Sequence, residues 1–256
     1  MTDPRLPPWP AQPALFLDLD GTLLEIAVEP QRVAPSARLR ALLPALSPAT
    51  HGAVAVVSGR PIADLDRLLA PHVFAAAGIH GLERRDTTGQ TFSVRPDDAL
   101  LAWAREGLAS FVAQHDGLLL EDKRLSISLH YRRRPDLSDE VGRFIEDLGR
   151  GLPLGLEILS GRMVFEIKPT GMDKGRAIRL FMSEPPFMGR TPVFVGDDVT
   201  DETAFQVVNE LDGVSVKVHA GATAAHWRLD GIGEVLGWLE SSVVARSATR
   251  IGIMHE

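Results

Sequence analysis

The sequence contains no cysteine. That excludes disulfides, thiolate metal sites and cysteine nucleophiles, and it carries no positive information about compartment. Positive charge is also scarce. There are 27 Lys and Arg against 34 Asp and Glu, a net charge of -7, which argues against a nucleic-acid partner. No apolar stretch approaches the length of a membrane span, so no membrane partner is expected. Met1 to Pro13 holds five prolines and no apolar run, and reads as a disordered lead-in, not a signal peptide. A cytoplasmic location is the expectation. What remains is ordinary for a soluble globular protein: 45% hydrophobic and 24% charged residues. Its 256 residues allow one large domain or a core with a smaller second domain.

The chain is organised around Ala14-Leu15-Phe16-Leu17-Asp18-Leu19-Asp20-Gly21-Thr22-Leu23. The short apolar run flanked by prolines predicts a fully buried strand. Such a strand delivers carboxylates to the carboxyl edge of a sheet, where open α/β sheets bind ligands. Alternation is expected to put Asp18 and Asp20 on one side of the backbone. Two anions that close need a cation or a shared proton. A polar Asp-Gly turn is the plain alternative.

A loop from Glu25 to Pro35 follows, and Ser36 caps a helix with Leu39, Leu42, Leu43 and Leu46 on one face. Gly52 to Val57 predicts a second buried strand. It ends at Ser58-Gly59-Arg60, and Pro61 takes the first position of the next helix, whose buried face is Leu65, Leu68 and Leu69. Val73 to Ala77 predicts a third strand, closing on Gly78-Ile79-His80-Gly81. This alternation argues for an α/β fold with a doubly wound parallel sheet.

The pattern changes after the turn Thr87-Thr88-Gly89-Gln90 and the short strand Phe92-Ser93-Val94. Asp97 opens a helix with Leu101, Ala104, Leu108, Phe111 and Val112 on one stripe. Strands over 118–123 and 125–132, a helix with Val141, Phe144, Ile145 and Leu148, and strands over 154–159 and 163–168 complete an inserted α+β unit. The last two strands join at Ser160-Gly161-Arg162, a hairpin signal. Alternation places Ser126, Ser128, His130 and Arg132 opposite Ile127, Leu129 and Tyr131, and sets Glu166 and Lys168 against Phe165 and Ile167. Glu121 and Lys123 share a face. A sheet of this kind is covered by helices on one side and open on the other. Its polar side is a solvated face, or a surface for a ligand.

The first pattern resumes after Pro169. Asp173-Lys174-Gly175 begins a helix, and Thr191 to Val195 runs as a buried strand into Gly196-Asp197-Asp198-Val199-Thr200-Asp201-Glu202. A helix from about Thr200 to Asn209, a strand over 214–218 and a closing helix with Leu236, Trp238 and Leu239 finish the chain. The expected domains are a core over residues 1–94 and 170–256 and a cap over 95–169.

Asp18 and Asp20, Ser58, Lys174, and the Asp197 to Glu202 group all fall at strand ends or helix starts of this core. Bringing the first and last groups together gathers up to six carboxylates. Oxygen-only ligands with no His or Cys point to Mg2+. A hydroxyl and a lysine beside the metal complete a phosphoryl-binding set, and a carboxylate can serve as nucleophile.

These four ordered motifs resemble those of the haloacid dehalogenase-like phosphatases, and the insertion is similar to that superfamily's larger cap type. The resemblance narrows with Pro30, Ser58-Gly59-Arg60, Gly78-Ile79-His80-Gly81, Glu121-Asp122-Lys123, His130-Tyr131-Arg132, Glu166-Ile167-Lys168-Pro169 and Gly196 to Glu202. From Phe16 to Val218 the chain resembles the trehalose-6-phosphate phosphatases, in their stand-alone bacterial form. Ile79 departs from the usual leucine, and Lys168 stands where arginine is also common.

The resemblance implies that Asp18 attacks phosphorus, and that Asp20 protonates the leaving sugar oxygen and then deprotonates water. It implies Mg2+ held by Asp18, the Asp20 carbonyl and Asp197, with Asp198 or Asp201 next in line. Ser58 would bond the phosphoryl oxygens and Lys174 would offset their charge. Glu121, Lys123, His130, Arg132, Glu166 and Lys168 would meet the sugar, with Gly59, Arg60 and His80 beside them. The implied partner is trehalose 6-phosphate, and a monomer is expected. Another sugar-phosphate phosphatase, for sucrose phosphate or mannosyl-glycerate phosphate, a mutase, and a non-catalytic regulator of a trehalose-phosphate synthase are the alternatives.

Overall fold

A computed structural model describes residues 5–26 and 33–253, with side chains described as far as residue 245. Part of the loop expected over 25–35, including Pro30, lies outside the described residues.

An eight-stranded sheet carries the larger part of the chain. Its strands are β1 (Pro13–Leu17), β2 (Val54–Val57), β3 (Ala75–Gly78), β4 (Glu83–Arg85), β5 (Thr91–Ser93), β10 (Thr191–Gly196), β11 (Val214–Val218) and β12 (Trp227–Leu229). Their order is β12-β11-β10-β1-β2-β3-β4-β5. The six strands from β12 to β3 are parallel, and β4 turns back antiparallel to β3. Strand β1 lies at the centre, between β10 and β2. It is buried along its whole length, which is why it reads as an unbroken apolar run.

Helices cover both faces. Leu15 and Leu17 enter one core with Leu39, Leu43 and Leu46 of α1 (Ala37–Ala49), Leu65 and Leu68 of α2 (Ile62–Leu69) and Val235 of α7 (Ile232–Ile253). Ala14 and Phe16 enter the other with Ala177 and Phe181 of α5 (Lys174–Met182) and Phe205 of α6 (Glu202–Glu210). Side-chain alternation along β1 assigns successive residues to opposite cores. Ser36 caps α1 as expected, its hydroxyl accepting from Leu39 N–H at 3.1 Å.

Four expectations change. Strands β4 and β12, three residues each, were too short to show a period. Pro61 is the cap before α2, one residue ahead of its expected place. Strand β3 starts at Ala75, because Val73 is exposed. Residues 5–13 are docked and do not form a disordered lead-in. Leu6 and Trp9 pack on the core, Trp9 meets Trp238 edge-to-face at 5.3 Å, and Trp238 Nε1 donates to the Pro7 carbonyl at 2.9 Å. Two indoles supply enough apolar area to order a proline-rich segment.

The chain divides into two compact units: Met1–Phe92 with Asp173–Asp197 and Asp201–Glu256, and Ser93–Met172 with Asp198–Thr200. The second holds a four-stranded antiparallel sheet ordered β6-β7-β9-β8, built from β6 (Leu119–Asp122), β7 (Ile127–His130), β8 (Leu156–Gly161) and β9 (Val164–Pro169). Helices α3 (Asp98–Val112) and α4 (Ser138–Arg150) give Ala104, Leu108, Val141 and Ile145 to a core with Ile127, Leu129 and Ile167.

Candidate active site

Strand β1 ends at Leu17, so the two aspartates lie in the turn beyond it. Leu23 and Leu24 N–H both return to the Leu19 carbonyl at 2.9 Å, and Gly21 adopts φ +81°. Strand alternation therefore does not govern Asp18 and Asp20, and each carboxylate has its own cation. Lys174 Nζ donates to Asp18 Oδ1 at 2.7 Å, while Arg60 Nε and Nη2 donate to Asp20 Oδ2 and Oδ1 at 2.5 and 2.7 Å.

Three loops converge on Asp18. Helix α5 starts at Lys174 because Asp173 caps it, accepting from Arg176 N–H at 2.7 Å. A β-carbon on Gly175 would overlap the Thr203 carbonyl, so glycine there lets the starts of α5 and α6 approach. Lys174 also donates to Asp201 Oδ1 at 2.6 Å. The Asp201 carboxylate in turn accepts from Asp197 N–H at 2.9 Å. On the opposite flank Asp18 Oδ2 accepts from Thr22 Oγ1 at 3.3 Å.

Asp18, Asp197 and Asp201 each place a carboxylate oxygen within 4.8 Å of the others. This is a smaller group than the six carboxylates expected. Asp20 is taken by Arg60. Asp198 Oδ1 accepts from Val199 N–H at 2.8 Å, and Glu202 Oε2 accepts from Ala224 N–H at 2.7 Å. Asp18 and Asp201 are buried with Lys174 between them. Burial, with Asp201 and Asp197 nearby, pushes the Asp18 carboxyl well above its ordinary range against the pull of Lys174. Burial works against the Lys174 ammonium too, but Asp18 and Asp201 overcome it and hold the lysine above its ordinary value. Three carboxylates this close, with oxygen donors alone, fit a hard divalent cation.

Ser58, at the end of β2, is buried, and its Oγ accepts from Arg60 N–H at 3.2 Å. The Ile79-His80 pair lies beside it with both residues at positive φ. Ile79 N–H donates to the Arg60 carbonyl and His80 N–H to the Ser58 carbonyl, each at 3.0 Å. A β-branched residue at positive φ is strained. The strain is held by these two bonds, which lock the Ser58–Arg60 loop. Ser58, Gly59, Arg60 and His80 thus form one linked element. In the sequence it was marked by Ser58-Gly59-Arg60 at a strand end and by the glycines that flank Ile79 and His80.

On the polar side of the four-stranded sheet in the second unit, Glu121, Lys123, His130 and Arg132 are half-buried. Ser126, Ser128, Glu166 and Lys168 are buried. Charges neutralise each other within the sheet, which offsets their desolvation. Lys123 Nζ donates to Glu166 Oε2 at 2.6 Å, Ser128 Oγ donates to the same oxygen at 3.1 Å, and His130 Nε2 meets Glu121 Oε2 at 2.7 Å. Lys168 engages Glu157 and the Pro169 and Met172 carbonyls, which accounts for all three of its donors. Arg132 Nε donates to the Arg162 carbonyl at 3.2 Å.

A family model described as Trehalose-phosphatase matches residues 16–232. The chain belongs to the trehalose-phosphatase family. It is 43% identical over 252 residues to the trehalose-6-phosphate phosphatase of Escherichia coli, covering 98% of this chain and 94% of that protein. It is 41% identical over 206 residues to a probable trehalose-phosphate phosphatase of Sinorhizobium fredii, covering 80% of this chain and 77% of the relative. Among solved structures, a trehalose-6-phosphate phosphatase related protein superposes with a TM-score of 0.74 at 28% identity, covering 94% of this chain and 99% of the other. The C-terminal domain of the Candida albicans trehalose-6-phosphate phosphatase shares the fold, with a TM-score of 0.83 at 21% identity over 91% and 92% of the two chains. This trehalose-phosphatase family member is therefore an enzyme with the haloacid dehalogenase-like fold, and its Asp18 lies at the carboxyl end of the central strand. The family assigns it a small sugar-phosphate substrate. No helix among the described residues is long and apolar enough to cross a membrane.

Proposed function

We propose that this enzyme hydrolyses trehalose 6-phosphate to trehalose and phosphate, with Mg2+ as its cofactor. The observation that carries the reading is the Asp18 carboxylate, seated on Lys174 beside Asp197 and Asp201. An Asp18 oxygen forms a bond to phosphorus while the bond from phosphorus to the sugar oxygen breaks, and that oxygen takes a proton from Asp20. Water then attacks the aspartyl-phosphate. Asp20 accepts its proton, the phosphorus–Asp18 bond breaks, and phosphate leaves. One residue acting first as acid and then as base suits these two steps. Ser58 and Lys174 hold the phosphoryl oxygens, and Lys174 also keeps Asp18 in place. Asp18, Asp197 and the Asp20 carbonyl would hold the metal, with Asp201 or Asp198 completing the set. The metal offsets phosphoryl charge when bound.

Residues 95–169 serve as the cap in this reading. Glu121, Lys123, His130, Arg132 and Glu166 present donors and acceptors suited to sugar hydroxyls. Lys168 supports them from below through its carbonyl contacts. Gly59, Arg60 and His80 belong to the substrate-binding set, and the enzyme works as a cytoplasmic monomer.

Phosphate release is measured from trehalose 6-phosphate, sucrose phosphate and mannosyl-glycerate phosphate, each with and without Mg2+. Mg2+-dependent release with trehalose 6-phosphate preferred is expected, lost in Asp18→Asn. Preference for another sugar phosphate would remove the trehalose assignment. No release from any substrate would favour a regulatory role.

A further inference from the structure

Strand β11 alternates between two environments. Val214, Val216 and Val218 enter the core that contains α1, α2 and α7, so Ser215 and Lys217 take the opposite face. Ser215 is accounted for by bonds to Asn209 and to His226 N–H. Lys217 belongs to none of the motifs above. It is 5% exposed, and among the described residues its Nζ donates to one acceptor, the main-chain carbonyl of Asp197. Register explains the contact, because Lys217 lies opposite Gly196 on β10, the residue before Asp197.

Burying an ammonium is costly unless it is paired, and an apolar residue would serve the sheet better. One neutral carbonyl does not satisfy three N–H donors. The carbonyl it reaches belongs to Asp197, a member of the carboxylate group with Asp18 and Asp201, to which Lys174 Nζ bonds. At its other end, the same Asp197 donates its N–H to Asp201 Oδ2 at 2.9 Å. Two side chains thus hold the main chain of Asp197, one at its N–H and one at its carbonyl.

We propose that Lys217 is a positioning residue of the phosphoryl and metal site. With Asp201 it fixes the Asp197 backbone so that the Asp197 carboxylate is presented beside Asp18. This rests on the reading of Asp197 as a metal ligand. Lys217 touches neither substrate nor metal in this scheme. Its effect passes through Asp197, as outer partners of metal ligands act.

The test is Mg2+ binding by calorimetric titration of the full chain, with kcat and KM for trehalose 6-phosphate, in the wild type, Lys217→Met, Lys217→Gln and Lys217→Arg. Loss of the outer partner is expected to weaken Mg2+ about tenfold to hundredfold. In Lys217→Met and Lys217→Gln, kcat should fall by a similar factor with KM nearly unchanged. Lys217→Arg, which keeps a donor to the carbonyl, should recover most of both. If the Met variant does not fold, the Gln and Arg pair carries the comparison. Wild-type Mg2+ affinity and kcat in the Gln variant, with only its melting temperature lowered, would overturn the proposal and leave Lys217 a structural residue. A wild-type chain that binds no Mg2+ would instead overturn the metal reading on which it rests.

Discussion

The Arg60 guanidinium grips both oxygens of Asp20, Nε to Oδ2 at 2.5 Å and Nη2 to Oδ1 at 2.7 Å. A planar fork of this kind fixes orientation as well as charge. It holds Asp20 apart from the buried group around Asp18 and fixes the direction its carboxyl faces, while each oxygen keeps a second lone pair for a proton. Arg60→Lys keeps the charge and loses the fork. It should lower kcat, by up to about a hundredfold where a reacting group is misplaced, while the retained charge keeps most of the pair's stabilisation. Arg60→Ala should cost about 1–3 kcal/mol as well. Steady-state kinetics beside urea unfolding check both, and unchanged kcat in Arg60→Lys would show that the fork plays no part in turnover.

Lys174 stands buried between Asp18 and Asp201. Lys174→Met leaves Asp18 and Asp201 without their shared ammonium, and removing one partner from a buried ion group costs about 3–5 kcal/mol. Added Mg2+ should recover part of that loss, because a cation returns to the same charges. Lysine is held above its ordinary value of 10.5. The lysine's contribution is therefore full below pH 10.5 and is lost only as pH rises through the higher folded value, so the Lys174 ammonium stays charged across the neutral range. Thermal unfolding of the variant with and without Mg2+ decides the point. Equal melting temperatures in both buffers would discount the shared-charge account.

Gly21 is the tightest point of the site. At φ +81° its missing side chain leaves room for the Asp197 carboxylate, which a β-carbon would overlap. Gly21→Ala adds about 1–2 kcal/mol of left-handed strain and displaces Asp197. Activity should fall at least a hundredfold, with the Mg2+ concentration for half-maximal rate raised. A Mg2+ titration of the rate checks this. Wild-type Mg2+ dependence would mean that Asp197 does not need that space.

Glu121 gives a pH prediction for the second unit. Burial pushes its carboxyl up, but the His130 bond and the Lys123 charge pull harder, and it ends below its ordinary value of 4.5. A depressed carboxylate stabilises the fold above 4.5 and loses that contribution as pH falls through the lower folded value. The stability gap between wild type and Glu121→Gln should therefore be present at pH 6 and shrink as pH falls below 4.5. Urea midpoints across that range measure it, and a gap that does not vary with pH would contradict the assignment.

Long elements with a clear period were legible from the residues alone: the buried β1, α1 with its Ser36 cap, and the α5 start at Asp173. Each is dictated by local chemistry, a capping oxygen or an apolar repeat within a few residues. The three-residue strands β4 and β12 carried no such period, and the docking of Trp9 on Trp238 joins residues too distant in the chain for any local pattern to show.

By itself the sequence determined the two-sided core and the chemistry-bearing residues at its strand ends, because side-chain period and turn residues act over short range. Only the tertiary structure decided which carboxylate meets which cation. Asp18 and Asp20 are two residues apart, yet one goes to Lys174 and the other to Arg60, because the chain leaves the strand at Leu17 and turns. The same holds for Lys217 and Asp197, which are brought together by parallel register between β10 and β11. Charge pairing depends on distances across the sheet, and those are set by the packing of whole elements.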